Sequence, residues 1–82
     1  EQNYPNPFNP TTNIKFQIPI DGLVSLKVFN MLGQEVATLI GEERHAGSYE
    51  VTFDASRFAS GVYVYKLQSG NFTASKKLLL VK

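Results

Sequence analysis

The 82-residue sequence contains no cysteine and no tryptophan, and it has only one histidine. Without cysteine the chain can form neither a disulfide nor a cysteine-ligated zinc site, and it has no thiol for catalysis. It also lacks an apolar run close to the ~20 residues that span a bilayer, since its longest run, residues 78–81, has the length of a strand. The first three residues lack the basic and apolar start of an export signal, so an exported protein would need that signal upstream.

The charge of the chain is small in total and unevenly distributed. A net charge of +1 is too small to indicate a nucleic-acid partner. Residues 1–54 carry three basic and seven acidic side chains, whereas residues 55–82 carry five basic side chains and no acidic one. Either basic strands lie beside acidic strands and pair across a sheet, or a basic end is offered to an acidic partner.

Alternating apolar and polar residues predict strands along most of the chain. The expected strands are residues 14–18, 23–29, 35–40, 48–54, 60–68 and 72–81. The fifth of these is apolar on both faces, which is typical of a central strand. Counting a proline-rich lead-in, the spacing predicts an all-β fold, an immunoglobulin-like antiparallel β-sandwich of about seven strands.

The start of the central strand has a feature of its own. Gly61 just ahead of Tyr63 resembles the corner of immunoglobulin-like sandwiches, in which a tyrosine bonds to backbone upstream of it. A cysteine usually follows two residues later in that fold, and Tyr65 stands there instead. We therefore expect a sandwich held by packed aromatic side chains rather than by a disulfide between the sheets.

The connections carry recognisable turn residues. Asp21-Gly22 predicts a two-residue hairpin turn, and residues 30–33 predict a turn with Gly33 in the left-handed conformation. Residues 42–46 are the most polar stretch and predict an exposed loop. Residues 55–59 could form a single helical turn that crosses from one sheet to the other.

The first twelve residues are dense in proline, which excludes a helix there. The alternative is a plain linker between domains, but solvated linkers seldom keep two aromatic side chains in five residues. We therefore expect residues 1–12 to form a stiff lead-in packed on a single domain, residues 13–82. The residues that define the lead-in are Pro5, Pro7, Phe8 and Pro10.

Few residues suggest catalysis or metal binding. The only histidine, His45, follows Glu42 and Glu43 in the polar stretch, where an exposed loop is favoured over a metal site. Asp54 and Ser56 predict a capping turn rather than a nucleophile with its base. No glycine-rich loop for phosphate is present. We expect no enzyme activity and no cofactor.

A carbohydrate-binding module is the first alternative function, because such sandwiches stack sugar rings on exposed aromatic side chains. Here Phe29 is the one aromatic expected to be partly exposed, and the others are better explained as core residues: Tyr49, Phe53, Tyr63 and Tyr65. A single exposed ring makes a weak platform. A passive spacer or adhesion module is the second alternative.

Four segments together resemble a known family across essentially the whole chain. They are the opening at residues 4–10, the turn at residues 28–36, the corner at residues 60–63 and the ending at residues 76–82. In this order they are similar to the type A C-terminal sorting domain of the type IX secretion system. That family is immunoglobulin-like and is similar also to a domain of the flagellar hook-capping protein.

The resemblance implies a non-catalytic sorting module that follows a cargo domain in a larger exported chain. Such a protein passes through the periplasm, and its implied partners are the outer-membrane type IX translocon and a sortase-like peptidase at the cell surface. Its fate is the cell surface or the medium. By position, the translocon would recognise Lys76, Lys77, Leu78, Leu79, Leu80, Val81 and Lys82. Gly61 and Tyr63 match the family's central motif.

Overall fold

A computed structural model describes residues 10–81, whose six strands form two antiparallel sheets. The strands are β1 (Thr11–Ile18), β2 (Gly22–Phe29), β3 (Glu35–Arg44), β4 (Gly47–Asp54), β5 (Gly61–Ser69) and β6 (Phe72–Leu80). β1 pairs with β4 in the smaller sheet, and the larger sheet has the order β3-β2-β5-β6. The predicted all-β sandwich is confirmed, with six strands in the described part of the chain rather than about seven. No helix that could span a membrane occurs between residues 10 and 81.

The core lies between the two sheets and is built from alternate side chains of the strands. β5 buries Tyr63, Tyr65 and Leu67, while Val62 and Val64 on its other face are half-buried. Burying one such apolar side chain stabilises the fold by about 1.5–3 kcal/mol. The other buried apolar side chains are Ile14, Phe16, Ile18, Val24, Leu26, Val28, Ile40, Phe53, Ala55, Leu78 and Leu80. β5 lies between β2 and β6, which confirms the prediction of a central strand.

The predicted tyrosine corner is present at the start of β5. The hydroxyl of Tyr63 donates a hydrogen bond to the carbonyl oxygen of Ala59 at 2.7 Å. The rings of Phe53, Phe58 and Tyr63 follow one another with centroids 5.8 and 6.0 Å apart. Because Phe53 belongs to the smaller sheet and Tyr63 to the larger one, aromatic packing joins the two sheets at this point.

The prediction of a hairpin at Asp21-Gly22 is wrong. β1 pairs with β4 whereas β2 pairs with β3 and β5, so this connection passes from one sheet to the other. A type I′ turn needs positive φ at both central residues, and glycine alone has positive φ among the described residues. β1 and β2 each bury one apolar face, and lying in opposite sheets lets both faces meet the same core.

β3 is longer than predicted. Its hydrogen-bonded pairing with β2 continues through the stretch expected to be a loop, as far as Arg44 opposite Gly22. β3 lies at the edge of its sheet, and Glu42 and Glu43 stay exposed although their backbone is paired. Neither face of this end is buried, so hydrophobic alternation could not reveal it.

The segment between β4 and β5 crosses between the sheets as predicted, but without a helical turn. The Phe58 N–H donates to the carbonyl of Ala55 at 3.0 Å, which closes a single turn. The Ala55 N–H donates to the carbonyl of Pro10 at 2.9 Å and so ties the end of β4 to the start of β1. Starting a helix fixes several residues for one hydrogen bond, and this segment is too short to offset that cost.

The division into a lead-in (residues 1–12) and a body (residues 13–82) stays a prediction. β1 already begins at Thr11. Pro5, Pro7 and Phe8 lie outside the described residues, and of the lead-in prolines Pro10 alone lies within them.

The Tyr63→Phe variant should lose about 0.5–1.5 kcal/mol of unfolding free energy, because the bond to the Ala59 carbonyl disappears. Tyr49 offers a matched control, since its hydroxyl also bonds a carbonyl, that of His45, but in an exposed position. Tyr49→Phe should cost less than about 0.5 kcal/mol. Urea denaturation measures both values, and equal losses would contradict a special role for the corner.

Candidate recognition surface on the terminal strand

β6 divides its side chains between the core and the surface. Leu78 and Leu80 are 0 % and 1 % exposed, whereas Leu79 and Val81 are 42 % and 48 % exposed. Side chains alternate along a strand, so the buried pair anchors β6 and the other pair lies on the outer face of the larger sheet. β6 is also the edge of that sheet among the described strands, with β5 as its neighbour.

Lys76 and Lys77 are both exposed but lie on opposite faces of β6. Lys76 is opposite Tyr65, whose side chain is buried, and Lys77 is opposite Val64 on the outer face. Adjacent residues of a strand alternate between its faces, so the two lysines, although neighbours in sequence, do not share a face. A partner that contacts both must therefore approach the edge of the strand rather than one face. Lys82 lies outside the described residues.

Among the described strands, the basic strands β5 and β6 do not pair with acidic ones, so the first interpretation of the charge distribution is wrong for this part of the chain. Lys66 of β5 lies opposite Lys27 on one side and Ser75 on the other. The ion pair that Lys27 makes is with Glu35 of β3, at 3.4 Å between Nζ and Oε1. Lys66 and Lys77 thus lie on the outer face of β5 and β6, and the second interpretation, a basic end offered to an acidic partner, stays a prediction.

Gly61 begins β5 with φ of +152°, a backbone conformation that residues with a side chain rarely adopt. Open space surrounds the position that a Cβ would take there, so backbone conformation rather than crowding requires glycine. This conformation brings the chain out of the β4–β5 crossing and places Tyr63 for its bond to Ala59.

The β2–β3 turn, residues 30–34, is held by a network that the sequence did not reveal. Gly33 has φ of +81°, which confirms its predicted left-handed conformation. The Oδ1 atom of Asn30 accepts hydrogen bonds from the N–H groups of Leu32 and Gln34, at 2.9 and 3.0 Å. Asparagine three residues before glycine is the signal that could have found it, because an Asn side chain readily bonds backbone two residues on.

The other chemical candidates occupy exposed positions. The His45 ring lies 3.4 Å from a carboxylate oxygen of Asp21, and both side chains are mostly exposed. Asp54 forms the predicted capping turn, because its Oδ1 accepts the Ser56 N–H at 3.0 Å. That hydrogen bond, aided by the Ser56 side chain, lowers the pKa of Asp54 below its ordinary 3.8. Between residues 10 and 81, no three His, Asp or Glu side chains come together as a metal site would require.

Aromatic side chains do not form an exposed row. Phe29 is half-buried, as predicted, and Phe72 is 42 % exposed at the other end of the larger sheet. Tyr49 is half-buried and contacts both Phe16, with ring centroids 5.8 Å apart, and the Arg44 guanidinium, 5.3 Å from its ring centre. The described residues therefore offer no platform for stacking several sugar rings.

The profile of one protein family, the secretion system C-terminal sorting domain, matches residues 2–82. Among curated proteins and among solved structures, no match to the chain is found.

Leu78→Ala should lower the free energy of unfolding by about 2–5 kcal/mol, because it opens a cavity in the core. Leu79→Ala is the matched control on the same strand, and we expect it to cost less than about 1 kcal/mol since that side chain is partly exposed. Thermal or urea unfolding measures both. Similar losses would mean that β6 does not alternate between core and surface.

Asp54→Asn should flatten the acid side of the stability profile. The pKa of Asp54 is lowered in the folded protein, so its contribution is present above pH 3.8 and is lost as the pH falls through the folded pKa. Asparagine keeps an oxygen for the Ser56 N–H but does not titrate. Unfolding curves recorded from neutral to strongly acidic pH test this, and an unchanged pH dependence would contradict it.

Proposed function

The chain belongs to the secretion system C-terminal sorting domain family, and we propose that it directs an N-terminal cargo domain of the same protein through the outer-membrane type IX translocon. Membership makes it a C-terminal sorting signal for type IX secretion, which implies export and a fate at the cell surface or in the medium. In our proposal the protein waits folded in the periplasm, and a sortase-like surface peptidase acts on it after export. The domain itself is non-catalytic and uses no cofactor.

The proposal rests on the observation that β6 is anchored in the core by some side chains and exposes others to solvent. Its buried leucines fix the strand in place, while the side chains of Leu79, Val81 and both lysines stay exposed on the last of the described strands. A receptor can read the exposed side chains of such a strand, because the alternate side chains that face away from the core supply selectivity. The proposed recognition segment is Lys76, Lys77, Leu78, Leu79, Leu80, Val81 and Lys82.

Recognition by a receptor that first withdraws β6 from the domain is less favourable. Withdrawing the strand would expose Leu78 and Leu80, which are almost fully buried, at about 1.5–3 kcal/mol for each side chain. It would also break the ladder with β5, which runs the whole length of β6. We therefore propose that the translocon recognises the folded domain.

The test is export of a folded reporter that carries residues 1–82 at its C-terminus, in a bacterium with a working type IX system. We expect the unaltered fusion at the surface or in the medium, and Lys76→Glu/Lys77→Glu folded but retained in the periplasm. Each lysine is also changed alone, because the two lie on opposite faces and the single variants report which face is read. Lys15→Glu, on the exposed face of β1, is the matched control and should be exported.

Protease resistance and thermal unfolding of each purified fusion establish that the variants are folded. A truncation that removes residues 76–82 also removes Leu78 and Leu80 from the core and would unfold the domain. A truncation after Leu80 avoids this, because residues 81–82 follow the last paired residue. Normal export of the folded double variant would remove both lysines from the mechanism, and retention of the unaltered fusion would contradict the sorting function.

A further inference from the structure

Large apolar side chains are exposed at the two ends of the sandwich and nowhere else among the described residues. We call one end of the sandwich the C-terminal end. β2 and β6 finish at this end, and β3 and β5 begin there. Met31, Leu32, Leu79 and Val81 are exposed at this end. The opposite end exposes Ile20, Leu23 and Phe72. The C-terminal end therefore carries exposed apolar side chains both in the proposed recognition segment and in the β2–β3 turn, with β5 between β2 and β6.

Met31 and Leu32 are the most exposed of all these side chains, at 72 % and 83 %. They form the tip of the β2–β3 turn, where Asn30 clamps both sides. Its backbone N–H donates to the carbonyl of Gln34, its carbonyl accepts the Gly33 N–H, and its side-chain Nδ2 donates to the Gln34 side chain at 2.8 Å. A tip fixed in this way loses little conformational entropy on binding, which is the condition for a docking contact.

The outer face of the larger sheet carries two lysines beyond Phe29 and Val64. On the outer face of the larger sheet Lys27 lies directly opposite Lys66, and like charges in that position are unfavourable. Glu35 neutralises Lys27 at 3.4 Å. For Lys66 no described acidic side chain lies within ion-pairing distance. A partner with acidic groups could pair with Lys66, so charge complementarity indicates the chemistry of what binds here.

The tip and the lysines belong to one continuous surface. Phe29 at the end of β2 lies opposite Val64 of β5, and Val62 follows toward the C-terminal end. All three are half-buried on the outer face. The outer face of the smaller sheet differs, because its alternate residues are polar throughout: Thr11, Asn13, Lys15, Gln17, Ser48, Glu50, Thr52 and Asp54.

We propose that the Met31–Leu32 tip is a second docking element of the sorting domain, and that it inserts into an apolar pocket of a protein receptor whose rim carries carboxylates facing Lys66. The proposal rests on the sorting function and names a further contact of the same receptor. A lipid bilayer is a poorer occupant of this surface. The turn itself has no basic residue, and the acidic Glu35 adjoins it.

The first experiment compares polar replacements at the two ends of the sandwich in the same reporter fusion. Met31→Ser/Leu32→Ser should reduce export at least about tenfold, the effect of losing some 1.4 kcal/mol of receptor binding. Ile20→Ser/Leu23→Ser changes two side chains that are 55 % and 64 % exposed at the opposite end, and should leave export unchanged. Unfolding curves of the purified fusions confirm that both variants are folded.

Three further variants separate docking from a structural role. Lys66→Glu should reduce export while Lys15→Glu does not. Asn30→Ala removes the acceptor that holds the tip and should reduce export, whereas Asn30→Asp keeps an acceptor for the N–H groups of Leu32 and Gln34 and should restore it. Restored export in Asn30→Asp would show that the hydrogen bonds to the tip matter, because loss of an unrelated contact of Asn30 would not be rescued in this way.

The outcomes distinguish this proposal from the sorting function. Normal export of folded Met31→Ser/Leu32→Ser, with Lys76→Glu/Lys77→Glu still retained, would overturn the second docking element and leave sorting in place. Retention of the unaltered fusion would overturn both. Flotation of the purified fusion with vesicles of phosphatidylethanolamine and phosphatidylglycerol tests whether the tip binds lipid instead. Vesicle binding that Met31→Ser/Leu32→Ser abolishes would overturn the proposal that the tip binds a pocket in a protein receptor.

Discussion

The packing of β5 against the smaller sheet is the constraint on which the rest of the structure depends. Tyr63, Tyr65 and Leu67 enter the core from a strand that is paired on both of its edges. These side chains must be covered by a second sheet, and β1 and β4 form that sheet. This requirement makes the chain change sheets at three of its connections, before β2, before β4 and before β5. The bond from Tyr63 to Ala59 lies at the third change of sheet.

The same packing gives the last strand one face in the core and one face in solvent. Leu78 and Leu80 complete the core beside β5, while the side chains between and after them face solvent. The proposed recognition segment has this form only in the folded domain, since an unfolded chain has no alternation between a buried and an exposed face. Stability and recognition are therefore coupled, and a core variant that unfolds β6 should impair export without touching any receptor contact.

Charge and exposed apolar surface meet at one end of the sandwich. The acidic side chains of β3 lie at one edge of the larger sheet, and Lys76 and Lys77 lie at the other. Lys66 stands between them without an acidic neighbour across the ladder. The arrangement is poorly explained by folding alone, because cross-strand ion pairs would have stabilised it further.

The strands and the core faces follow from the sequence by itself, because burial on one side of a strand leaves a period of two that Ile14, Phe16 and Ile18 display plainly. The corner and the Gly33 turn were also predictable, since each depends on neighbouring residues. Sheet membership was decided only by tertiary packing. Asp21-Gly22 carries a strong local hairpin signal, yet the gain from covering two apolar faces in one core outweighs it. Likewise, Lys76 and Lys77 lie on opposite faces of any strand that contains both, but with three leucines in a row after them only the packing of β6 decides that Lys77 is on the outer face. Local patterns report which side of a strand is apolar, but the partner that covers that side lies far along the chain.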